Sequence, residues 1–172
     1  MPILSAALRT SSSLTHLSLS RVGLLNRLAG LELFDALVGH PMLETITLND
    51  MVGAEMRALA GAALGRLVEA NAPALKKLNV SNCALGDDGL RPLFAALPSS
   101  KYLTFLYAQF NGISAAFAPV VLASVTANGS LLLLSMDGRK QNESDPGHGE
   151  VSIAELREAE ALVRRRGWSR RG

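Results

Sequence analysis

One spacing recurs along this chain and leaves few folds open to it. Leu75, Leu78 and Val80 stand at offsets of three and two. The same step is made by Leu14, Leu17 and Leu19, by Leu43, Ile46 and Leu48, and by Leu103, Leu106 and Ala108. A weaker copy runs through Leu131, Leu134 and Met136. The first positions, 14, 43, 75, 103 and 131, are 29, 32, 28 and 28 residues apart. A period of this size marks a stacked repeat, in which each unit packs against its neighbours alone.

The spacing has a direct physical reading. Side chains alternate faces along a strand, so Leu78 and Val80 point the same way, and Leu75 reaches the same core from the preceding turn. Three residues beyond the last apolar position stands Cys83 in one copy and Asn111 in another. A buried Asn there can satisfy loop backbone groups, and Cys can fill the same narrow slot. Helical stretches follow the strands. Residues 54–70 place Met56, Leu59, Ala63 and Leu67 on one face. Residues 87–97 open with Asp87 and Asp88, which favour a helix N-terminus, and Pro92 falls early enough to be tolerated. Ser114 is placed to cap a helix over 115–127, and Ser152 with Glu155 matches a capping box for 153–166.

Each unit is therefore a strand, a turn and a helix. Helices are wider than strands, so the stack curves. The expected fold is an α/β solenoid, a short curved horseshoe with parallel strands on the concave face and helices on the convex face. Composition agrees: hydrophobic residues make up 48% but aromatics only 5%, which suits thin layers of Leu, Ala and Val.

The segment LKKLNVSNCALGDDGLRPLFAAL, residues 75–97, resembles the consensus of leucine-rich repeat proteins of the ribonuclease-inhibitor subtype, including Cys83 at the Asn/Cys position and the Gly89 to Leu90 step. The resemblance covers roughly residues 1–136 and departs from the pattern at Val22, Met51 and Arg139, which occupy the Asn/Cys positions of the other units. It implies a binding scaffold without catalysis of its own.

The ends bear on organisation. Residues 2–12 read as the helix of a preceding unit, with Pro2 at a first helical position. That would leave strand 14–19 at an open edge, available to a partner unless it is covered. The array spans 1–136, followed by a polar loop at 137–150, a terminal helix at 151–166 and a basic tail at 167–172. Ile153, Leu156, Ala159 and Val163 are expected on the inward side of that last helix. The missing cap fits either a fragment of a longer array or a cap supplied by a partner.

Function is expected on the outward strand positions. By alternation these are His16, Ser18 and Ser20; Thr45, Thr47 and Asn49; Lys77, Asn79 and Ser81; Phe105, Tyr107 and Gln109; Leu133 and Ser135. Phe105, Tyr107 and Phe110 gather three of the seven Phe and Tyr residues within six positions. Aromatics exposed on a strand are the usual anchors of protein interfaces, unless such rings cover one another. The candidate partner-binding set is Phe105, Tyr107, Gln109, Phe110, Lys77, Asn79 and Leu133. Two further surfaces stand out. Residues 102–136 carry no charge, so helix 115–127 is a candidate contact for an oligomer or an assembly, as is the N-terminal edge strand. Arg164, Arg165, Arg166, Arg170 and Arg171 crowd the last nine residues, with Trp168 among them. This basic tail could bind nucleic acid, lipid headgroups or an acidic partner, or serve as favourable charge at a helix C-terminus.

Catalytic signals are poor. His16, His40 and His148 do not fall at ligand spacing, and His148 near Glu150 is a weak metal pair. Cys83 reads as buried structure, and GAALGRL at 61–67 lacks the lysine of a phosphate loop. No enzyme, metal or cofactor is expected. The leading expectation is a non-catalytic protein-binding scaffold. The alternative is a structural subunit of a large ribonucleoprotein or cytoskeletal complex. A single cysteine excludes an intramolecular disulfide framework, and no apolar run approaches the length of a bilayer span. An intracellular, cytoplasmic setting is expected. The acid-free, serine-containing first 31 residues, with Arg9, Arg21 and Arg27, leave organellar targeting open.

Overall fold

The computed structural model describes residues 2–19, 27–49, 57–136 and 153–169. Helix and strand alternate throughout: α1 (Pro2–Thr10), β1 (His16–Ser18), α2 (Arg27–Leu37), β2 (Thr45–Thr47), α3 (Arg57–Glu69), β3 (Lys77–Asn79), α4 (Gly86–Ala96), β4 (Phe105–Tyr107), α5 (Ala118–Ala127), β5 (Leu133–Ser135) and α6 (Ile153–Ser169). Short 3-10 turns follow α4 at Leu97–Ser99 and precede α5 at Ala115–Phe117.

The five strands form one parallel sheet in chain order. Leu17, Ile46, Leu78, Leu106 and Leu134 stand side by side across it, so the sequence period is the sheet register. This is a leucine-rich-repeat solenoid. All five are buried, and the first leucines Leu43, Leu75, Leu103 and Leu131 are buried behind them. The helices close the other side of this core. Phe94 and Phe117, both fully buried, meet edge to face with centroids 5.7 Å apart.

Two polar devices hold the turns. Asn111 lies in the turn after β4, where its Oδ1 accepts from the N–H groups of Cys83 and Leu85, both at 3.2 Å. Its Nδ2 donates to the carbonyls of Val80 at 2.9 Å and Ala108 at 3.0 Å. The thiol of Cys83 donates to the Leu48 carbonyl one unit earlier. In these two units the Asn/Cys slot thus links the turn to its neighbour. Val22, Met51 and Arg139, which fill it elsewhere, lie outside the described residues.

The second device sits on the opposite rim, three residues before the first leucine. There the backbone N–H of the leucine is taken by Ser11 Oγ for Leu14, by His40 Nδ1 for Leu43 and by Asn128 Oδ1 for Leu131. His40 also sets Nε2 against the Leu8 carbonyl at 3.1 Å. Its buried imidazole is therefore a clamp between units. Asn71, in the left-handed conformation at φ 49° just after α3, donates to Ser99 O and accepts from Lys101 N.

The GAALG stretch has a structural use. Gly61 faces Gly89 of α4, and a Cβ at Gly61 would lie 2.4 Å from the Gly89 carbonyl oxygen. Gly65, one turn on, stands against Pro92 in the same way. These absent side chains let α3 and α4 approach closely.

Several expected details shift. The buried face of α3 is Ala60, Ala63, Leu64, Leu67 and Val68, whereas Leu59 is half-buried. Met56 lies outside the described residues. Ser114 makes no side-chain cap. Its hydroxyl and its N–H both donate to the Asp87 carboxylate, tying the turn before α5 to the start of α4. The hydroxyl is oriented by donating to a charged acceptor in the neighbouring unit, a stronger bond than accepting from a helix N–H. The last helix runs to Ser169, three residues beyond its expected end, with Leu156, Ala159 and Val163 buried as expected. The Ser152–Glu155 box, the Ile153 side chain and the 137–150 loop fall outside what is described.

Candidate functional site

The concave face is built by alternation, because every residue flanking the buried leucine of a strand must point away from the core. The register turns these positions into two rows. His16, Thr45, Lys77, Phe105 and Leu133 form one, and Ser18, Thr47, Asn79, Tyr107 and Ser135 the other. The side chains on β2 to β5 are half-buried, and those on β1 are exposed.

The rows are chemically graded. Toward β1 and β2 they offer an imidazole and hydroxyls. At β3 comes Lys77, at β4 the two aromatics, at β5 Leu133. Lys77 Nζ lies 5.1 Å from the centroid of the Tyr107 ring, a diagonal cation–π contact between adjacent strands. Asn79 Oδ1 accepts from Ser81 N–H at 3.0 Å, which fixes that amide at the strand end. The structure therefore brings Lys77, Asn79, Phe105, Tyr107 and Leu133 onto one face.

Gln109 and Phe110 sit apart, in the turn beyond β4. The Gln109 carbonyl accepts from Asn82 N–H at 2.8 Å. Phe110 is 40% exposed and holds a left-handed backbone at φ 55°. Such a conformation is unfavourable for a bulky residue, and strained residues of this kind cluster at binding sites. Asn82, one unit earlier, adopts the same conformation at φ 57°. Phe110 thus stands on the rim that adjoins the concave rows. In the same strip, Asn49 Oδ1 and Ser81 Oγ are buried with no hydrogen-bond partner among the described residues.

The basic residues of α6 are divided. The Arg166 guanidinium donates to the carbonyls of Val125, Thr126 and Asn128, so it caps the C-terminal end of α5. This residue is a structural cap and not part of a solvated tail. Arg164 and Arg165 are exposed, with Arg164 3.9 Å from Glu160. Arg170, Arg171 and the Trp168 side chain lie outside the described residues. Helix α5 shows Pro119, Ala123, Thr126 and Ala127 on its open side, between the charged faces of α4 and α6. The N-terminal edge strand is β1, which among the described residues pairs with β2 alone.

No described group of three or more His, Cys, Asp or Glu could hold a metal. His16 Nδ1 pairs with the Thr15 hydroxyl at 2.9 Å. His148 and Glu150 fall outside the described residues. No helix among the described residues is long and apolar enough to cross a membrane.

What the residues alone missed was the Lys77–Tyr107 diagonal and the His40 and Asn128 clamps. The clamps had a signal, since a polar side chain recurs three positions before the leucines of four units as Ser11, His40, Ser100 and Asn128.

No family model matches the sequence, and no curated protein does. Solved structures match its fold. Actin-binding site 2 of leiomodin-1 is similar at a TM-score of 0.75 and 14% identity, over 98% of this chain and 90% of that one. The tropomodulin C-terminal domain of Caenorhabditis elegans is similar at a TM-score of 0.71 and 16% identity, over 98% of this chain and 93% of that one.

Proposed function

We propose that the chain is a non-catalytic, intracellular scaffold of leucine-rich repeats, close to the ribonuclease-inhibitor subtype, that docks a protein partner on its concave face. The observation that carries this is the cluster of Lys77, Phe105, Tyr107 and Leu133 on one open sheet face, with Phe110 on its rim. Half-buried aromatics beside a cation are what a protein interface uses as anchors. Among the described residues the rest of the face is small and polar, which suits a rim around such a centre. One of the solved structures similar in fold is named for actin binding, so a cytoskeletal partner is part of the proposal and actin is the first candidate.

Co-sedimentation with filamentous actin and native titration with monomeric actin test it. Binding that falls at least tenfold in Phe105→Ala/Tyr107→Ala, with circular dichroism unchanged, supports docking on this face. Binding untouched by the double substitution removes the concave cluster from the function. Absence of any actin binding removes actin as the partner.

A second reading is a structural subunit fixed within an assembly. The uncharged open side of α5 favours it, since its neighbours α4 and α6 carry Arg91, Arg157 and Glu158 on theirs. Exposed Arg164 and Arg165 favour an acidic or nucleic-acid contact in the same setting. Sedimentation of the isolated chain separates the two readings. A stable monomer supports the scaffold, and self-association lost on Ala123→Glu supports the subunit.

A further inference from the structure

We infer that the concave face selects a partner segment carrying a carboxylate, with an aliphatic or aromatic side chain about 10 Å further along. This rests on the concave-face reading above. The first argument is charge. The described positions of the two rows are His16, Ser18, Thr45, Thr47, Lys77, Asn79, Phe105, Tyr107, Leu133 and Ser135. They hold no carboxylate and one permanent charge, Lys77. Its ammonium rests over the Tyr107 ring and has no carboxylate partner among the described residues.

The contrast with the flanks is informative. Asp35 pairs with Arg66 at 2.8 Å, and Asp87 is satisfied by Ser114. These two acids thus have partners away from the sheet face, while Lys77 keeps its donors for something outside the fold. A half-desolvated ammonium held on a ring face favours an anion that can approach from the open side.

The second argument is geometry. Lys77, Phe105 and Leu133 are register partners on three successive strands. Neighbouring strands stand about 4.8 Å apart, so Lys77 and Leu133 are separated by about 10 Å across the face. A segment in the polyproline II conformation, lying across the strands, returns to the same facing every three residues at about 3.1 Å per residue, so side chains three apart span that distance on one side. Its acid would sit over Lys77, within reach of the Asn79 amide, and its apolar side chain over Phe105 and Leu133. The reverse orientation would carry the segment past Thr45 and Thr47 and place the apolar group over β1, against exposed His16 and Ser18, which give it little apolar surface to pack on.

The test uses the full chain, isotopically labelled, and two short acetylated and amidated peptides. One has a Glu three residues before a Leu in a Ser background; its twin has Gln in place of Glu. Amide shifts are followed by NMR. The Glu peptide is expected to move the signals of residues 77–79 and 105–107 and to bind about fivefold more tightly than the Gln twin. The preference should fade between about 20 mM and about 300 mM salt. Lys77→Met, which keeps the alkyl stem, should bring the two peptides level, and Lys77→Arg should keep the preference.

Equal binding of both peptides to the unaltered chain, localised at these residues, overturns the acid selectivity and leaves the concave-face reading standing. Shifts elsewhere, or none with either peptide, overturn the inference. Failure of the concave reading itself is read separately, from Phe105→Ala/Tyr107→Ala in the actin experiments. Signals at 77–79 that move with protein concentration alone would make a second copy of this chain the occupant, which also overturns the proposal.

Discussion

Replacing Asn111 with Ala removes a side chain that is 3% exposed and joins two turns. Two buried N–H groups, on Cys83 and Leu85, lose their acceptor. Two carbonyls, on Val80 and Ala108, lose a donor. A buried group left without a partner costs about 1–3 kcal/mol. Carbonyls tolerate the loss better than N–H groups, and water entering the space left by the amide restores part of it. The net loss should be about 3–5 kcal/mol. Against a total of about 5–15 kcal/mol, that is enough to open the array locally at moderate denaturant. The loss should also be regional, because stability in a solenoid is set by neighbouring units. Urea unfolding followed by far-UV circular dichroism measures the total, and native-state hydrogen exchange measures the region. Amides of Val80, Cys83, Leu85 and Ala108 should exchange faster, while those of β1 stay protected. Asn111→Cys should lose about 1 kcal/mol less than Asn111→Ala, since a thiol still donates weakly to a carbonyl, as Cys83 does in the neighbouring unit. A loss for Asn111→Ala under about 1 kcal/mol, or one spread evenly over all units, would refute the reasoning.

Gly61→Ala should destabilise by about 1–3 kcal/mol in thermal or urea unfolding, even after the gain of about 1 kcal/mol in helix propensity, because the new Cβ meets Gly89 backbone. Ser81→Ala has the opposite sign. It removes a buried hydroxyl with no partner among the described residues, so it should be neutral or stabilise by up to about 1 kcal/mol in the same assay. Arg166→Ala leaves three carbonyls of the α5 end without their donor, so α6 should loosen, seen as faster protease cleavage and a loss of about 1–3 kcal/mol.

The parts of the fold that were readable share one cause. A buried strand position tolerates little besides Leu, Ile or Val, so Leu17, Ile46, Leu78, Leu106 and Leu134 announce both strands and register. Alternation then places Lys77, Phe105, Tyr107 and Leu133 on the outer face without further information. What escaped depends on contacts between units. Ser114 matches a helix cap by its position, yet its hydroxyl is taken by Asp87 from 27 residues away. Arg166 reads as one more charge in a basic run, and only the packing of α6 on α5 turns it into a cap. Phe110 looks like a continuation of β4, but the chain has already turned there into a left-handed conformation. Gly61 and Gly65 suggest a loop motif to the eye, and only the close approach of α4 explains them. Local pattern reports burial well. It reports poorly on which distant side chain competes for a hydrogen bond.

Site-specific photo-cross-linking tests the docking claim most directly. A benzophenone amino acid replaces Tyr107 on the concave face in one variant and Ala123 on the open side of α5 in another. Each is irradiated with actin, or with whichever partner the titrations identify. Covalent product from position 107 and none from position 123 is the expected result. Product from position 123 alone would contradict docking on the sheet and place the contact on the helices.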